Sequence, residues 1–203
     1  MMTTPDTRND LSKKYALSAP HSEIVEAASR IAPGKALDLG CGNGRNSLWL
    51  NQRGFELTAW DKNPQSIATL NHIIEQESLS HISTEIKDLD SLRFNGQYQL
   101  VFSTVVMMFL QPDTIPQMIA DMQASTVKNG YNLIVAAMDT ADYPCTLPFP
   151  FTFKSGELSH YYRKWHIVKY NEEVGQLFKT DENGNRIQLR FATLLAQKAP
   201  TKN

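Results

Sequence analysis

The stretch ALDLGCGNGRN at residues 36–46 decides the fold of this chain. An apolar run that carries one acid, Asp38, leads into a loop with Gly40, Gly42 and Gly44. This order predicts a β-strand that enters a glycine-rich loop, which in turn opens a helix. Glycines let a ligand approach the backbone without an intervening side chain, so the loop predicts a site for a nucleotide-like cofactor.

The composition indicates one globular domain. The chain has 203 residues, of which 41% are hydrophobic, and a formal net charge of −1, which argues against a nucleic-acid partner. No apolar run approaches the roughly 20 residues of a membrane span, so no membrane partner is expected. Cys41 and Cys145 fit neither a disulfide framework nor a metal site. We expect a cytoplasmic protein with a flexible lead at 1–13 and a single domain at 14–203, and the sequence leaves homo-oligomerisation open.

Apolar runs alternate with helical patterns along the first two thirds of the chain. This βαβαβα order predicts an α/β fold: a doubly wound, mainly parallel sheet with helices on both faces. The predicted strands are 36–40, 55–60, 81–87, 98–104 and 132–138, and the predicted helices are 18–31, 44–53, 63–77 and 115–125.

The last third of the chain predicts a different arrangement. Residues 143–153 are rich in proline and aromatic side chains and indicate a stiff loop, followed by a short helix near 157–164. Two longer strand patterns are joined by DENGN at 181–185, whose Asn-Gly pair is typical of a hairpin. An antiparallel C-terminal hairpin is therefore expected, and Asn129-Gly130 predicts a turn before the strand at 132–138.

The details of the glycine loop bear on which cofactor it holds. Arg45 stands where the dinucleotide fingerprint G-x-G-x-x-G has its last glycine, and no Walker phosphate loop is present. The carboxylate of Asp38 is predicted to repel a pyrophosphate and to favour a cationic donor without phosphate, such as S-adenosyl-L-methionine (SAM). Asp61 and Asp88 end the next two strands, where they are placed to accept hydrogen bonds from a ribose and an adenine amino group.

Longer segments carry a more specific resemblance. GCGNGRNSLWL (40–50), STVVMMFL (103–110) and AAMDTADYPC (136–145) resemble class I SAM-dependent methyltransferases and, more closely, the tellurite-resistance methyltransferase family TehB. The likeness covers most of residues 14–198. It implies a seven-stranded sheet with an antiparallel last strand, SAM as cofactor and S-adenosylhomocysteine as product. It also implies tellurite detoxification by direct in-line methylation of tellurite and selenium oxyanions.

The resemblance also implies roles for individual residues. The glycine loop binds the methionine part of SAM, Leu89 offers its amide to adenine, and a segment with Tyr15 and His21 closes over the cofactor. The predicted cofactor-binding residues are Tyr15, His21, Asp38, Gly40, Gly42, Asn43, Gly44, Arg45, Asn46, Asp61, Lys62, Asp88, Leu89, Ser103 and Thr104.

For the oxyanion acceptor, the resemblance favours basic residues that flank the hairpin turn, Lys179 and Arg186, as the catalytic pair, with Arg190 as a further candidate. The family carries a His-Arg pair where this chain has Phe178-Lys179, a departure that removes a proton carrier. The remaining residues near the site receive packing or wall roles. Met107, Met108 and Phe109 are expected in the core and Cys41 in packing. Asp139, Asp142, Tyr143 and Cys145 are expected in a substrate wall, and Phe149, Phe151 and Phe153 in a hydrophobic clasp that holds this loop to the core.

Other functions stay open from the sequence. The same fold and cofactor would serve methylation of another small acceptor, such as a thiol, amine or halide. A SAM-binding resistance partner without turnover is a second alternative. An NAD-binding oxidoreductase is a third, and Asp38 and Arg45 argue against it.

Overall fold

A computed structural model describes residues 11–199 of the chain. Helices connect β1 to β2, β2 to β3 and β4 to β5, a 3-10 turn lies between β3 and β4, and a long antiparallel hairpin ends the domain. The strands are β1 Lys35–Leu39, β2 Glu56–Asp61, β3 Ile82–Ile86, β4 Tyr98–Thr104, β5 Thr126–Ala137, β6 His166–Thr180 and β7 Arg186–Gln197. The helices are α1 Leu11–Lys14, α2 Ser22–Ala28, α3 Arg45–Asn51, α4 Pro64–Gln76, α5 Thr114–Ala124 and α6 Glu157–Tyr161.

The strands form one seven-stranded sheet in the order β3-β2-β1-β4-β5-β7-β6. β1 to β5 are mutually parallel, whereas β7 runs antiparallel to both β5 and β6. This confirms the predicted mainly parallel sheet with an antiparallel C-terminal hairpin. The strand order reverses between β1 and β4, and α/β sheets bind ligands in the crevice at such a point.

Helices cover both faces of the sheet because successive strand residues point to opposite sides. On one face, Leu37 and Leu39 of β1 pack into a core with α5 and α6. On the other face, Ala36 packs with α2 and the end of α3, and a neighbouring cluster joins α1, α3 and α4. These three clusters are buried, and their packing fixes the strand ends that carry the polar loops.

The N-terminal region differs from the prediction. The helix expected at 18–31 is shorter, because His21 is its N-cap: Nδ1 of His21 accepts a hydrogen bond from the Glu23 amide at 3.2 Å. Residues 11–13, assigned to the flexible lead, lie in α1, where Leu11 is buried. The rest of that lead, residues 1–10, lies outside the described residues.

Asn129-Gly130 does not form the predicted turn. β5 begins at Thr126 and continues through this pair, and its register with β4 shifts where Asn129 takes a positive φ of 63°. The pairing passes from Tyr98 with Thr126 to Leu100 with Tyr131, so the intervening residues form an irregularity inside one strand.

The C-terminal hairpin extends beyond the rest of the sheet. Pairing of β5 with β7 ends at Ala137 and Phe191, while β6 and β7 remain paired as far as Thr180 and Arg186. We call residues 175–180 and 186–189 the terminal ribbon. It projects past the carboxyl end of β5 and carries Phe178, which is 91% exposed.

Candidate functional site

A cavity of about 630 Å³ opens at the carboxyl ends of β1, β2 and β4, where the strand order reverses. Its volume is within the range of pockets that hold small molecules and cofactors. Nine of the predicted cofactor-binding residues line it: Gly40, Gly42, Asn43, Arg45, Asn46, Asp61, Lys62, Leu89 and Thr104.

The glycines of the loop are required by close approach as well as by backbone conformation. Gly40 has a φ of +84°, and a Cβ there would lie 2.5 Å from Cγ2 of Val106. Gly44 has a φ of +92°, and a Cβ there would lie 2.4 Å from Cδ1 of Leu70 on α4. Gly40 therefore shapes the cavity floor, whereas Gly44, which does not line the cavity, lets α3 pack on α4.

The carboxylate of Asp61 holds the loop in place. Its Oδ2 accepts a hydrogen bond from the Gly42 amide at 2.8 Å, and its Oδ1 accepts one from the Asn63 amide at 2.9 Å. Each carboxylate oxygen has acceptor capacity for a further donor, so Asp61 fits the predicted ribose-binding role while it also orders the loop.

Asn46 connects three elements beneath the cavity. Its side chain is buried, accepts a hydrogen bond from the His21 amide at 2.8 Å and donates one to Oγ1 of Thr104 at 3.0 Å. The end of β4, the start of α3 and the N-cap of α2 are thereby fixed together. Ser103, the neighbour of Thr104, does not line the cavity, and its buried Oγ has no hydrogen-bond partner among the described residues.

The N-terminal segment forms one wall through Ala16, Leu17 and Ser18. Tyr15 anchors this segment rather than lining the cavity, because its hydroxyl donates a hydrogen bond to Oε1 of Glu77 at 2.6 Å. Arg45 holds the other end, since its Nη1 donates to the Ala19 carbonyl at 3.1 Å. His21 likewise serves as a helix cap outside the lining.

Asp38 does not face the cavity, so the prediction that its carboxylate selects a cationic ligand there was wrong. Its carboxylate is 1% exposed, and Oδ2 accepts a hydrogen bond from the Ser47 hydroxyl at 2.7 Å. Burial raises the pKa of Asp38 to about 7, and the nearby Asp61 carboxylate adds to the shift. The acid therefore supports α3 against β1 and does not select a cationic ligand by direct contact.

The cavity also departs from the expected charge. Three of its lining residues are basic, Arg45, Lys62 and Lys87, against the single carboxylate of Asp61 in the described part of the lining. Burial lowers the pKa of Arg45, and the Asp38 carboxyl opposes this shift.

Asp88 caps a short turn beside the cavity. Its Oδ1 accepts a hydrogen bond from the Asp90 amide at 3.0 Å and begins the 3-10 turn Leu89–Ser91. Asp88 is absent from the lining, while the following Leu89 is part of it. Of these two neighbouring residues, Leu89 is therefore the one that contacts the cavity.

Sequence reasoning missed several lining residues: Ala16, Leu17, Ser18, Cys41, Lys87, Val105, Val106, Phe109 and Leu110. Lys87 directly follows β3, so the strand-end rule that selected Asp88 would have found it. Phe109 was expected in the core with Met107 and Met108. The two methionines are buried, but the 3-10 turn Met107–Phe109 directs Phe109 outward, where it is 55% exposed.

The predicted acceptor residues lie elsewhere. Neither Lys179 nor Arg186 lines the cavity, and both belong to the terminal ribbon. Arg186 donates its Nε hydrogen bond to the Leu177 carbonyl at 2.8 Å, and its guanidinium lies 5.0 Å from the ring centre of Phe178.

Arg190, the further candidate, binds the loop after β5. Its Nη2 and Nε donate to Oδ2 of Asp142 at 2.7 and 3.0 Å, and its guanidinium lies 5.4 Å from the ring centre of Tyr143. In the same loop, the Cys145 amide donates to Oδ1 of Asp139 at 2.8 Å. The predicted wall residues therefore hold one another and β7, and none of them lines the cavity.

The phenylalanines of this loop form the expected hydrophobic clasp. Phe153 is fully buried and packs edge to face with Phe151, with ring centres 4.8 Å apart. Phe149 instead packs on Phe109 at the edge of the cavity, with ring centres 5.4 Å apart.

Comparison with known proteins places this architecture in a family. Residues 5–195 match the model of the family described as "Tellurite resistance protein TehB". The chain belongs to the TehB family. It is 52% identical, over 92% of its length, to a Haemophilus influenzae protein named "Probable S-adenosyl-L-methionine-dependent methyltransferase TehB", and 47% identical, over 92%, to "Hemagglutinin 1" of Eikenella corrodens.

The crystal structure of TehB from Haemophilus influenzae has the same fold as this TehB-family chain. It superposes with a TM-score of 0.89 at 52% identity, over 93% of the present chain and 65% of that structure. The chain spans 65% of the Haemophilus protein and 62% of the Eikenella protein.

Two further properties concern the part of the chain that the structure describes. No helix within residues 11–199 has the length and apolar character needed to cross a membrane. In the same range, no group of three or more histidine, cysteine or acidic side chains is placed to hold a metal ion.

Proposed function

We propose that this chain binds SAM in the cavity and catalyses transfer of its methyl group to tellurite or a selenium oxyanion. The observation that carries the proposal is the lining of the cavity, in which the glycine loop, Asp61, Leu89 and Thr104 meet at the reversal of strand order. Family membership and the name of the Haemophilus relative support the cofactor.

The lining fits the chemical parts of SAM. Gly40 and Gly42 leave backbone accessible for the methionine part, and a Cβ on Gly42 would have no neighbour within 4 Å. Asp61 retains acceptor capacity for ribose hydroxyls, and Leu89 offers an apolar surface for adenine. Arg45 supplies a cation for the carboxylate of the methionine part. When bound, SAM supplies an electrophilic methyl group on a sulfonium sulfur.

The protein's task in such a reaction is alignment and exclusion of water. A lone pair on tellurium or selenium forms the new bond to carbon while the carbon–sulfonium bond breaks, so no general base is needed. The acceptor oxyanion needs cations or amide donors. Arg45 is already assigned to the cofactor carboxylate, so we retain Lys179 and Arg186 as the proposed acceptor residues on the ribbon.

Incubation of the purified chain with SAM and tellurite or selenite tests this function. We expect S-adenosylhomocysteine in solution and methylated tellurium or selenium species in the headspace, together with SAM binding by calorimetry. SAM binding without any S-adenosylhomocysteine, across a broad acceptor panel, would instead favour the binding partner without turnover.

The compartment is part of the same proposal. Cys41 and Cys145 are both free thiols. Unpaired cysteines are usual in reducing compartments, which supports the cytoplasm as the site of the reaction.

A further inference from the structure

One side of the cavity is apolar. Val105, Val106, Phe109 and Leu110 follow β4 and line the cavity, and we call them the apolar wall. Phe109 is its most accessible member, and its ring is held edge to face by Phe149 at an interplanar angle of 83°. A rigid aromatic ring left half exposed inside a cavity offers a binding surface for an apolar group.

The charged lining residues come from other strands. Asp61 ends β2, Lys62 follows it, and Lys87 follows β3, whereas the apolar wall follows β4. In the sheet, β1 separates β4 from β2 and β3. The cavity thus has a charged side, which suits the nucleoside part of the cofactor, and an apolar side.

The backbone is strained at Val105, the first residue of the apolar wall. Val105 has a φ of 58°, a conformation that β-branched residues rarely adopt, and its amide donates to the Val135 carbonyl at 2.7 Å. Strain of this kind is concentrated at ligand sites. The wall is therefore a fixed surface whose shape is set by β5.

The lining also lacks an obvious general base. No histidine lines the cavity among residues 11–199, and each oxygen of the Asp61 carboxylate already accepts a backbone amide. Burial raises the pKa of the Cys41 thiol, so this side chain stays protonated. An acceptor at the apolar wall must therefore ionise in solution, which thiols do more readily than phenols or amines.

We propose that the apolar wall binds the hydrocarbon part of a small monothiol and that the chain methylates its sulfur. This inference rests on the SAM-dependent activity proposed above and adds a second acceptor class at the same site. The thiol releases its proton to solvent, the thiolate sulfur forms a bond to the methyl carbon, and the carbon–sulfonium bond breaks. The bonding pair leaves with S-adenosylhomocysteine, and the product is a neutral methyl sulfide.

The test compares thiols that differ in apolar surface. The whole chain is incubated with SAM at pH 8.5 and with 1-butanethiol, thiophenol or cysteine, and S-adenosylhomocysteine and methyl sulfides are measured. We expect kcat/KM, expressed per thiolate present at this pH, to be at least about 10-fold higher for the two apolar thiols than for cysteine, since apolar contacts discriminate by this order.

Variants of Phe109 assign the effect to the wall. Phe109→Ala is expected to lower kcat/KM for 1-butanethiol about 10-fold, with SAM affinity unchanged, and Phe109→Leu to retain at least half of the activity. Val25→Ala is the control, because Val25 is an exposed apolar residue on α2 outside the cavity lining.

The outcomes separate the two proposals. If oxyanions are methylated and no thiol is, the thiol inference is overturned and the proposed function stands. If apolar thiols are methylated and oxyanions are not, the inference stands and the oxyanion proposal fails. Equal turnover of cysteine and 1-butanethiol, or an unchanged rate in Phe109→Ala, overturns the role of the wall. Absence of SAM binding overturns both proposals.

Discussion

The cavity and the terminal ribbon are built by different physical means. Loops from β1, β2 and β4 converge on the cavity, and hydrogen bonds of Asp61 and Asn46 hold them together. The ribbon is held by pairing of its own two strands and by apolar packing of Leu177, Ile187 and Leu189 against the cluster of Met108 and Ala137. Its basic residue Arg186 is bound to the neighbouring Leu177 carbonyl. The cavity is thus fixed by hydrogen bonds between distant segments, whereas the basic side chain of Arg186 on the ribbon has a local partner.

Because of this difference, residues of the cavity are better preorganised for binding than residues of the ribbon. A residue whose position is determined by several elements keeps its place when a ligand arrives, and preorganisation of this kind favours binding. A side chain on an exposed ribbon has to be ordered at a cost in conformational entropy before it contributes. We therefore expect substitutions in the cavity to act more strongly than those in the ribbon.

The largest effect is expected for Gly40→Ala. The added Cβ would meet Val106 at 2.5 Å in a backbone conformation that disfavours a side chain, so SAM affinity should fall by about 100-fold in calorimetry. Gly184→Ala is the matched control in the ribbon turn, with a φ of +79° and no neighbour within 4 Å. It should cost about 1 kcal/mol of stability and leave SAM affinity unchanged. Equal losses of affinity in the two variants would contradict the difference.

A second test concerns the acid beneath the cavity. Because the folded-state pKa of Asp38 is about 7, above its ordinary value of 3.8, the folded protein binds more protons in this range and loses stability as pH rises from about 4 to about 7. Between pH 5 and pH 8 the wild-type free energy of unfolding should fall by about 2 kcal/mol more than that of Asp38→Asn.

Urea unfolding at the two pH values measures this difference. Asp181→Asn, in the exposed turn of the ribbon, is the control and should follow the wild type. An identical pH dependence in the wild type and Asp38→Asn would show that Asp38 does not titrate as its burial requires.

Asp61→Ala is expected to lower SAM affinity about 10-fold while the fold survives, because the carboxylate makes charge-assisted hydrogen bonds to the loop and retains capacity for the ribose. Calorimetry measures the affinity, and circular dichroism checks the fold. Asp88→Ala is the comparison, since Asp88 only caps a turn outside the lining. If Asp88→Ala lowers affinity as much as Asp61→Ala does, the two acids have been assigned the wrong roles.

Some parts of the fold and of the site could be predicted from the sequence, and others could not. The strand-loop-helix of residues 36–46 and the acid at Asp61 were predictable, because strand ends and glycine loops are local patterns whose positions in a parallel sheet follow general rules. The prediction for Asp38 was wrong because successive strand residues point to opposite faces of the sheet. The sequence alone does not show which of these faces α3 covers. The prediction that Phe109 lies in the core was wrong because a 3-10 turn directs it away from Met107 and Met108. Hydrophobic periodicity does not predict such a short turn.

The N-terminal segment and the start of β5 illustrate a second limit of prediction from sequence. Ala16 lines the cavity because Tyr15 reaches Glu77, a contact across 62 positions that no local pattern reveals. Asn129-Gly130 was predicted to form a turn, yet its backbone hydrogen bonds with Lys198, and the pairing of Thr126 and Tyr131 with β4 on either side of it, keep it inside β5. Long-range pairing thus overrode local propensity in both cases.

The smallest effect is expected at the ribbon. Arg186→Ala should lower kcat/KM for selenite about 5-fold and leave the SAM dissociation constant unchanged, because the residue lies outside the cavity lining and an exposed cation contributes little. Arg163→Ala is the control: Arg163 also donates to a backbone carbonyl, that of His160, but follows α6. Steady-state kinetics at saturating SAM and calorimetry on both variants test this expectation. If Arg186→Ala leaves kcat/KM for selenite unchanged, the ribbon has no part in binding the oxyanion.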